Sequence, residues 1–232
     1  PVKWRGHVVD RGTDLALEPD AKGPLSVFQS PVDNVRYLIT ADVGQGIPDA
    51  SWSVADVWDC RNWQQVAQWR GHCDPARFAE IIQKVGAFYN WAHVFVENKH
   101  PGNATIQKLG DLRYPNLTAD MEDGEIGFVT TEKSKATIIT DLREAVRDMD
   151  IKVNSAATLS ELRSYCLLEN GKTGPQPGCW QDTVITAALA AYVLKRFALQ
   201  PEIEVGARSE VLRPFRQRVR RQGQAPSGTR VV

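Results

Sequence analysis

The segment from Tyr37 to Gly46 constrains the fold of this chain more than any other stretch. A short apolar run is followed by one carboxylate, Asp42, and then by a glycine-rich turn. A bounded apolar run of this length predicts a buried strand. A carboxylate within such a strand is costly to bury unless a partner compensates its charge, and a metal cation is one such partner.

Two later segments repeat this combination. An apolar run from Ala92 to Val96 ends at Glu97, and Asp182 opens a long apolar helix. We expect Asp42, Glu97 and Asp182 to meet in space around divalent metal. Three carboxylates placed in this way can hold two ions about 3.5–4 Å apart, an arrangement that drives phosphodiester hydrolysis. Because the ligands are all oxygens, Mg²⁺ or Mn²⁺ is favoured over zinc.

Each of these acids also has a purely structural explanation. Asp42 can begin the glycine-rich turn through an Asx-type hydrogen bond, and Glu97 can be a surface acid at a strand end. Asp182 is a good N-cap for its helix, a role compatible with metal binding because a helix N-terminus favours an anion. The order of the acids, after a strand, after a later strand and at the start of the last helix, favours a shared site.

Composition narrows the class of protein. The chain has 232 residues, 42% hydrophobic and 24% charged, with a formal net charge of +0, so any nucleic acid must be bound through a local patch. The four cysteines form no C-x-x-C pair, a pattern that fits a reducing compartment. There is no N-terminal signal pattern, and the most apolar segment, residues 184–194, is too short to span a bilayer. Because the chain begins at Pro1, we expect it to be a piece of a longer protein.

The first half of the chain predicts strands followed by a helix. Residues 1–36 are punctuated by proline and glycine and predict a lead-in, packed on the core, of loops with at most one short strand or helical turn. Three adjacent antiparallel strands are then predicted, at residues 37–42, 51–58 and 65–69. A helix capped by Asp74 follows, and the strand after it favours a parallel pairing.

The second half predicts mainly helices. Helices are predicted at residues 101–112, in a segment capped by Thr130 or Thr131, and at residues 182–197. A short strand is predicted at residues 151–153, and a small helix or strand entry at residues 159–165. Residues 201–232 are rich in arginine and predict a basic, disordered tail. Strands followed by alternating helices and strands indicate an α/β fold with a mixed central sheet.

This layout is similar to that of the ribonuclease H-like nuclease superfamily. Four acid- or lysine-centred segments resemble the nuclease domain of tailed-bacteriophage terminase large subunits, namely residues 41–46, 96–102, 130–135 and 181–187. The resemblance runs from about Gly23 to about Arg196. It implies a ribonuclease H-like mixed sheet, an antiparallel three-strand meander followed by parallel strands and flanked by helices, within a domain at residues 37–200.

The resemblance implies a metal-dependent endonuclease that cuts concatemeric double-stranded DNA when a viral genome is packaged. By position, Asp42, Glu97 and Asp182 match the family's metal-binding triad for two divalent ions, Mg²⁺ or Mn²⁺. Asp49 lies where some members carry a further acid, although it can also be a turn residue. The family often has two adjacent acids before the last helix, and here the first of them is Gln181.

The family joins this domain to an ATPase motor, which would lie upstream of Pro1. The chain itself has no G-x-x-x-x-G-K-[ST] motif, because Gly171, Lys172 and Thr173 have Cys166 where the first glycine is needed, so we expect no ATP hydrolysis. The implied partners are double-stranded DNA, the motor domain, the portal protein and the small terminase subunit, with no membrane. The implied location is the host cell cytoplasm, in a packaging complex that is absent from the mature virion.

DNA contacts are expected on the phosphate backbone, because packaging cuts need little base readout. Lys99, His100, Lys133 and Lys135 are the candidates because they adjoin the motifs, although they can also be solvated surface cations. The arginine-rich tail can contact DNA, dock on the portal or only keep the chain in solution.

Two other functions fit the same residues. A Holliday-junction resolvase or a transposase-like nuclease of the same superfamily would prefer branched DNA or specific ends. A non-catalytic docking module would use the acids structurally and would hold the motor on the portal.

Overall fold

The computed structural model describes residues 1–11, 14–120, 124–169 and 171–196, and these ranges contain nine strands and five helices. The strands are β1 (Trp4–Arg11), β2 (Asp14–Pro19), β3 (Leu25–Val27), β4 (Tyr37–Asp42), β5 (Ser53–Asp59), β6 (Gln64–Gly71), β7 (His93–Val96), β8 (Tyr165–Leu167) and β9 (Thr173–Pro175). The helices are α1 (Pro75–Phe88), α2 (Gly102–Asp111), α3 (Glu132–Arg147), α4 (Ala156–Ser164) and α5 (Asp182–Arg196).

A mixed sheet forms the centre of the fold. Across the described ranges its seven strands lie in the order β2-β1-β3-β6-β5-β4-β7. β4, β5 and β6 form an antiparallel meander, and β7 pairs with β4 in parallel. The predicted meander followed by a parallel strand is therefore confirmed. β8 and β9 form a separate antiparallel hairpin.

The first 36 residues hold more structure than the sequence predicted. The expectation of at most one short strand is wrong, because β1, β2 and β3 extend the sheet beyond β6. Pro19 ends β2 and Pro24 directly precedes β3, so these prolines lie at the ends of strands. β1 is only partly buried. Backbone hydrogen bonds to β2 and β3 and the partly buried side chains of Trp4 and Val8 hold it in the sheet, a combination that leaves no clear apolar alternation in the sequence.

Local capping chemistry sets several helix boundaries. The Asp74 side chain accepts from the first backbone N–H groups of α1, and Thr131 caps α3 through a capping box. The predicted short strand at residues 151–153 is reduced to one parallel bridge between Lys152 and Gln64.

Helices cover both faces of the sheet. α1 and α2 pack on one face, where Ile39 and Phe78 belong to one buried cluster. α3 and α5 pack on the other face, where Leu38 and Leu189 belong to a second cluster. Because successive strand residues point to opposite faces, Asp42 shares the face of Leu38, which α5 covers.

None of the helices in the described ranges is long and apolar enough to cross a membrane. The predicted tail at residues 201–232 and the last residues of the predicted nuclease domain, 197–200, lie outside the described residues.

Candidate active site

The carboxyl ends of two parallel strands bring Asp42 and Glu97 together. The register of β4 and β7 pairs Ala41 with Val96, and the N–H of Glu97 donates to the carbonyl oxygen of Ala41 at 2.8 Å. Asp42 and Glu97 therefore stand at the same level of the sheet. The Glu97 carboxyl group lies close enough to Asp42 to raise its pKa.

Asp182 is the third acid at this edge of the sheet. It is buried, and its Oδ2 accepts a hydrogen bond of 3.0 Å from the backbone N–H of Trp52, just before β5. The N–H of Ile185 bonds to the carbonyl oxygen of Gln181, so Asp182 is the first residue inside α5 rather than its N-cap. Its charge contributes to the repulsion on Asp42, so the two lie close together. The structure thus places Asp42 and Glu97 on neighbouring strands and Asp182 at the same edge of the sheet, within electrostatic range of Asp42.

Burial and mutual repulsion make two of these acids hard to ionise. The pKa of Asp42 lies well above its ordinary value because the carboxyl group is desolvated and because Glu97 and, less strongly, Asp182 repel its charge. Burial raises the pKa of Asp182 to about 6, with a further increase from Glu161. Perturbed acids that cluster at one edge of a sheet mark a candidate functional site.

The candidate ligands are all carboxylate oxygens, which suit a hard divalent cation. As they stand, no three His, Cys, Asp or Glu side chains in the described part of the chain are grouped closely enough to hold a metal ion. Asp42 and Glu97 stand side by side on β4 and after β7, whereas Asp182 is held by the N–H of Trp52. Carboxylate oxygens are nevertheless the ligands that Mg²⁺ and Mn²⁺ prefer, and a cation would relieve the repulsion between these acids.

Asp49 lies in the exposed turn between β4 and β5. Its φ of 63° places it in the left-handed region, which Asp tolerates in turns. Its carboxylate takes no part in the described interactions of Asp42 and Asp182. This geometry favours the turn-residue interpretation, and its role as a metal ligand stays a prediction.

Lys135 lies beside the acids. Its Nζ donates to Oε1 of Gln181 at 3.0 Å. Burial lowers the pKa of Lys135, while the negative charges of Glu97 and Asp42 act in the opposite direction. Gln181 therefore serves as a neutral acceptor for a cation at the site.

The other residues predicted to contact DNA are Lys99, His100 and Lys133. The charge of Lys99 contributes to lowering the pKa of Lys135, so these two lysines are neighbours. Lys99, His100 and Lys133 are all exposed. Each is accessible to a large ligand such as DNA.

The structure contains a group of residues behind Asp182 that the sequence analysis did not predict. Glu161 on α4 accepts from Arg70 on β6 at 3.2 Å and from Thr183 on α5. Asp56 on β5 is fully buried and accepts from the Thr186 hydroxyl at 2.6 Å. Thr183 and Thr186 lie within residues 181–187, but Glu161, Arg70 and Asp56 belong to none of the segments that carry the resemblance. Nothing in the local pattern distinguishes them from ordinary strand and helix residues.

The raised pKa values predict that the metal-free protein loses stability as pH rises. Burial raises the pKa of Asp56, like that of Asp182, to about 6 from 3.8. Between these values the folded state binds protons that the unfolded chain has released, so the free energy of unfolding falls with rising pH. We expect each acid to lower it by about 1 kcal/mol between pH 5 and 7. Urea unfolding in EDTA across this range measures the slope.

Asp56→Asn is the matched variant for this measurement, because it removes one titrating acid without touching the three acids at the sheet edge. The slope of stability against pH should become shallower in this variant. An identical slope in both proteins would contradict the assignment.

Taken together, the fold and the site define a ribonuclease H-like α/β domain with acids at the carboxyl edge of its parallel strands. The large terminase nuclease of thermophilic phage G20c with bound magnesium has a similar structure, with a TM-score of 0.60 and 19% identity over 82% of this chain and 92% of that chain. The same nuclease with bound cobalt gives a TM-score of 0.60 at 18% identity, with the same coverage. The large terminase nuclease domain of Thermus phage P74-26 gives 0.59 at 20% identity, over 75% of this chain and 87% of that chain.

No family model matches the sequence, and no curated protein sequence matches it either. At identities of 18–20% the structural likeness establishes the fold. The predicted ribonuclease H-like class and the structural resemblance to terminase nuclease domains are confirmed.

Proposed function

We propose that this chain is a divalent-metal-dependent endonuclease that cuts concatemeric double-stranded viral DNA during genome packaging. The observation that carries the proposal is the meeting of Asp42 and Glu97 on adjacent parallel strands, with Asp182 beside them. Solved structures with a similar fold include large terminase nucleases, and one of them has bound magnesium.

In this proposal Asp42, Glu97 and Asp182 hold the ions, Mg²⁺ or Mn²⁺, with Asp49 as a further candidate ligand. When bound, a pair of such ions activates the attacking water and stabilises the leaving oxygen. The chain contributes a partly buried, preorganised set of anionic oxygens. Because Gln181 is uncharged, it orients Lys135 without neutralising it, which leaves a cation next to the acids for a substrate phosphate.

DNA would lie across the cations around this edge, the exposed Lys99, His100 and Lys133 and the partly buried Lys135. These side chains supply phosphate contacts, which position a duplex without reading its sequence. The packaging context adds an ATPase motor domain, a portal protein and a small terminase subunit as partners, in the host cell cytoplasm.

Cutting of supercoiled plasmid tests the proposal. Wild-type protein should produce nicked and linear DNA with millimolar Mn²⁺ or Mg²⁺, and no product in EDTA. Glu97→Gln, purified in the same way, is the control for a contaminating nuclease and should be inactive. Absence of cutting with either metal, together with binding to portal protein, would support the docking module instead.

A competition between linear duplex and a four-way junction separates the packaging nuclease from a resolvase. We expect the packaging nuclease to cut both DNAs at similar rates, because its contacts are made to the backbone. A strong preference for the junction would favour the resolvase.

A further inference from the structure

A buried carboxylate lies directly behind the first turn of α5. Glu161 on α4 is buried, and its Oε2 accepts from the backbone N–H of Thr183 at 2.8 Å and from the Thr183 hydroxyl at 2.7 Å. Its Oε1 accepts from Nη2 of Arg70 at 3.2 Å. Thr183 follows Asp182 in the chain, so Glu161 holds the helix at the residue next to the candidate metal ligand.

The ion pair between Arg70 and Glu161 is also connected to Trp52, whose backbone N–H holds the Asp182 carboxylate. The guanidinium carbon of Arg70 lies 4.2 Å from the centroid of the Trp52 ring, in a cation–π contact. The His72 ring packs against Trp52, with centroids 3.9 Å apart. The backbone N–H of Trp52 donates to Oδ2 of Asp182. Arg70 and Glu161 therefore join the two contacts that place Asp182.

A second buried acid holds the same side of the helix one turn further on. Thr186 donates to Oδ2 of Asp56, and Oδ1 of Asp56 accepts from the side-chain amides of Gln65 and Gln68 at 2.8 and 2.9 Å. Burying carboxylates costs stability that apolar side chains of similar size would not cost. The directional hydrogen bonds from α5 to Glu161 and Asp56 restrict the rotation of the helix about its axis, in addition to its apolar packing.

We propose that Glu161 is a positioning residue for Asp182. Supported by Arg70 and acting through Thr183, it fixes the first turn of α5 so that the Asp182 carboxylate stays beside Asp42 and Glu97. This inference rests on the proposed nuclease function and deepens it. Glu161 affects the reaction only through Asp182, and a displacement of about 1 Å in a catalytic group can cost about a hundredfold in rate.

Thr183→Val and Thr183→Ser form the matched pair that tests this inference. Valine has the shape of threonine without the hydroxyl, whereas serine keeps the hydroxyl that Glu161 accepts. We expect Thr183→Val to lower kcat for plasmid cutting by about tenfold with KM for DNA unchanged, and Thr183→Ser to restore most of the rate. The rise in melting temperature caused by Mn²⁺ should also be smaller in Thr183→Val than in the wild type or Thr183→Ser.

Two further variants complete the design. Glu161→Gln keeps an acceptor for Thr183 but loses the ion pair with Arg70, and it should shift kcat and the Mn²⁺ effect in the same direction. Thr105→Val removes another buried hydroxyl, which donates to the carbonyl oxygen of Pro75 at 3.0 Å where α2 packs on α1. This control should leave kcat and the Mn²⁺ effect unchanged.

The outcomes separate the inference from the function on which it rests. Equal kcat and equal Mn²⁺ effects in Thr183→Val and wild type would overturn the positioning role. Equal losses in Thr183→Val and Thr105→Val would also overturn it, because they would indicate a general loss of stability. A wild-type protein that cuts no DNA would overturn the proposed function, and the Mn²⁺ effects in the Thr183 variants would still decide the positioning role.

Discussion

Asp42→Asn is expected to abolish DNA cutting, with a loss on the order of a thousandfold or more in kcat. The substitution keeps the size of the side chain but replaces an anionic oxygen that lies against Glu97 and near Asp182. With only two acids left at this edge, the chain has too little negative charge to hold the proposed ions in place. Plasmid-cutting time courses with Mn²⁺ and with Mg²⁺, at several DNA concentrations, measure kcat and KM.

Asp148→Asn is the control for this substitution. Asp148 follows α3 and bonds to Arg147 at 2.7 Å on the exposed surface, so the same chemical change occurs away from the sheet edge. It should cut DNA at the wild-type rate. If Asp42→Asn also cuts at that rate, Asp42 has no part in the mechanism.

Mn²⁺ is expected to raise the melting temperature of the wild-type protein by about 5–10 °C when present at about a hundred times its dissociation constant. The physical reason is the repulsion among Asp42, Glu97 and Asp182, which a bound cation relieves. Differential scanning calorimetry in EDTA and in millimolar Mn²⁺ measures this shift directly.

Asp42→Asn should change the two melting temperatures in opposite directions relative to the wild type. In EDTA the variant should melt higher, because a partly buried acid with a strongly raised pKa has been replaced by a neutral group. In Mn²⁺ it should lose most of the metal-induced rise. Melting curves that respond neither to Mn²⁺ nor to the substitution would show that these acids do not share a cation site.

Much of the central sheet could be predicted from local patterns. β4 begins and ends at the predicted residues, because a strand buried on both faces leaves a continuous apolar run. The start of α1 at Pro75 was also predicted, since Asp74 and Pro75 carry the capping chemistry themselves. β1 was missed because an extension of a sheet by a partly buried strand leaves no such pattern.

The three acids were predicted as an ordered set, and their meeting depends on the parallel register of β4 and β7. Strand alternation explains the rest of the geometry, because Asp42 lies on the face of the sheet that α5 covers. The pKa values of Asp42 and Asp182 follow from this packing and could not be estimated from the sequence.

Local sequence patterns were therefore enough to predict acids at the ends of strands and at the start of a helix, because turns, caps and apolar runs involve residues that are close in the chain. The residues that hold Asp182 in position became known only from the tertiary structure. Its supports come from Trp52 before β5, Arg70 on β6 and Glu161 on α4, up to 130 residues away along the chain. Hydrogen bonds between such distant segments produce no periodicity and no motif, so they exist only once the sheet and helices have packed.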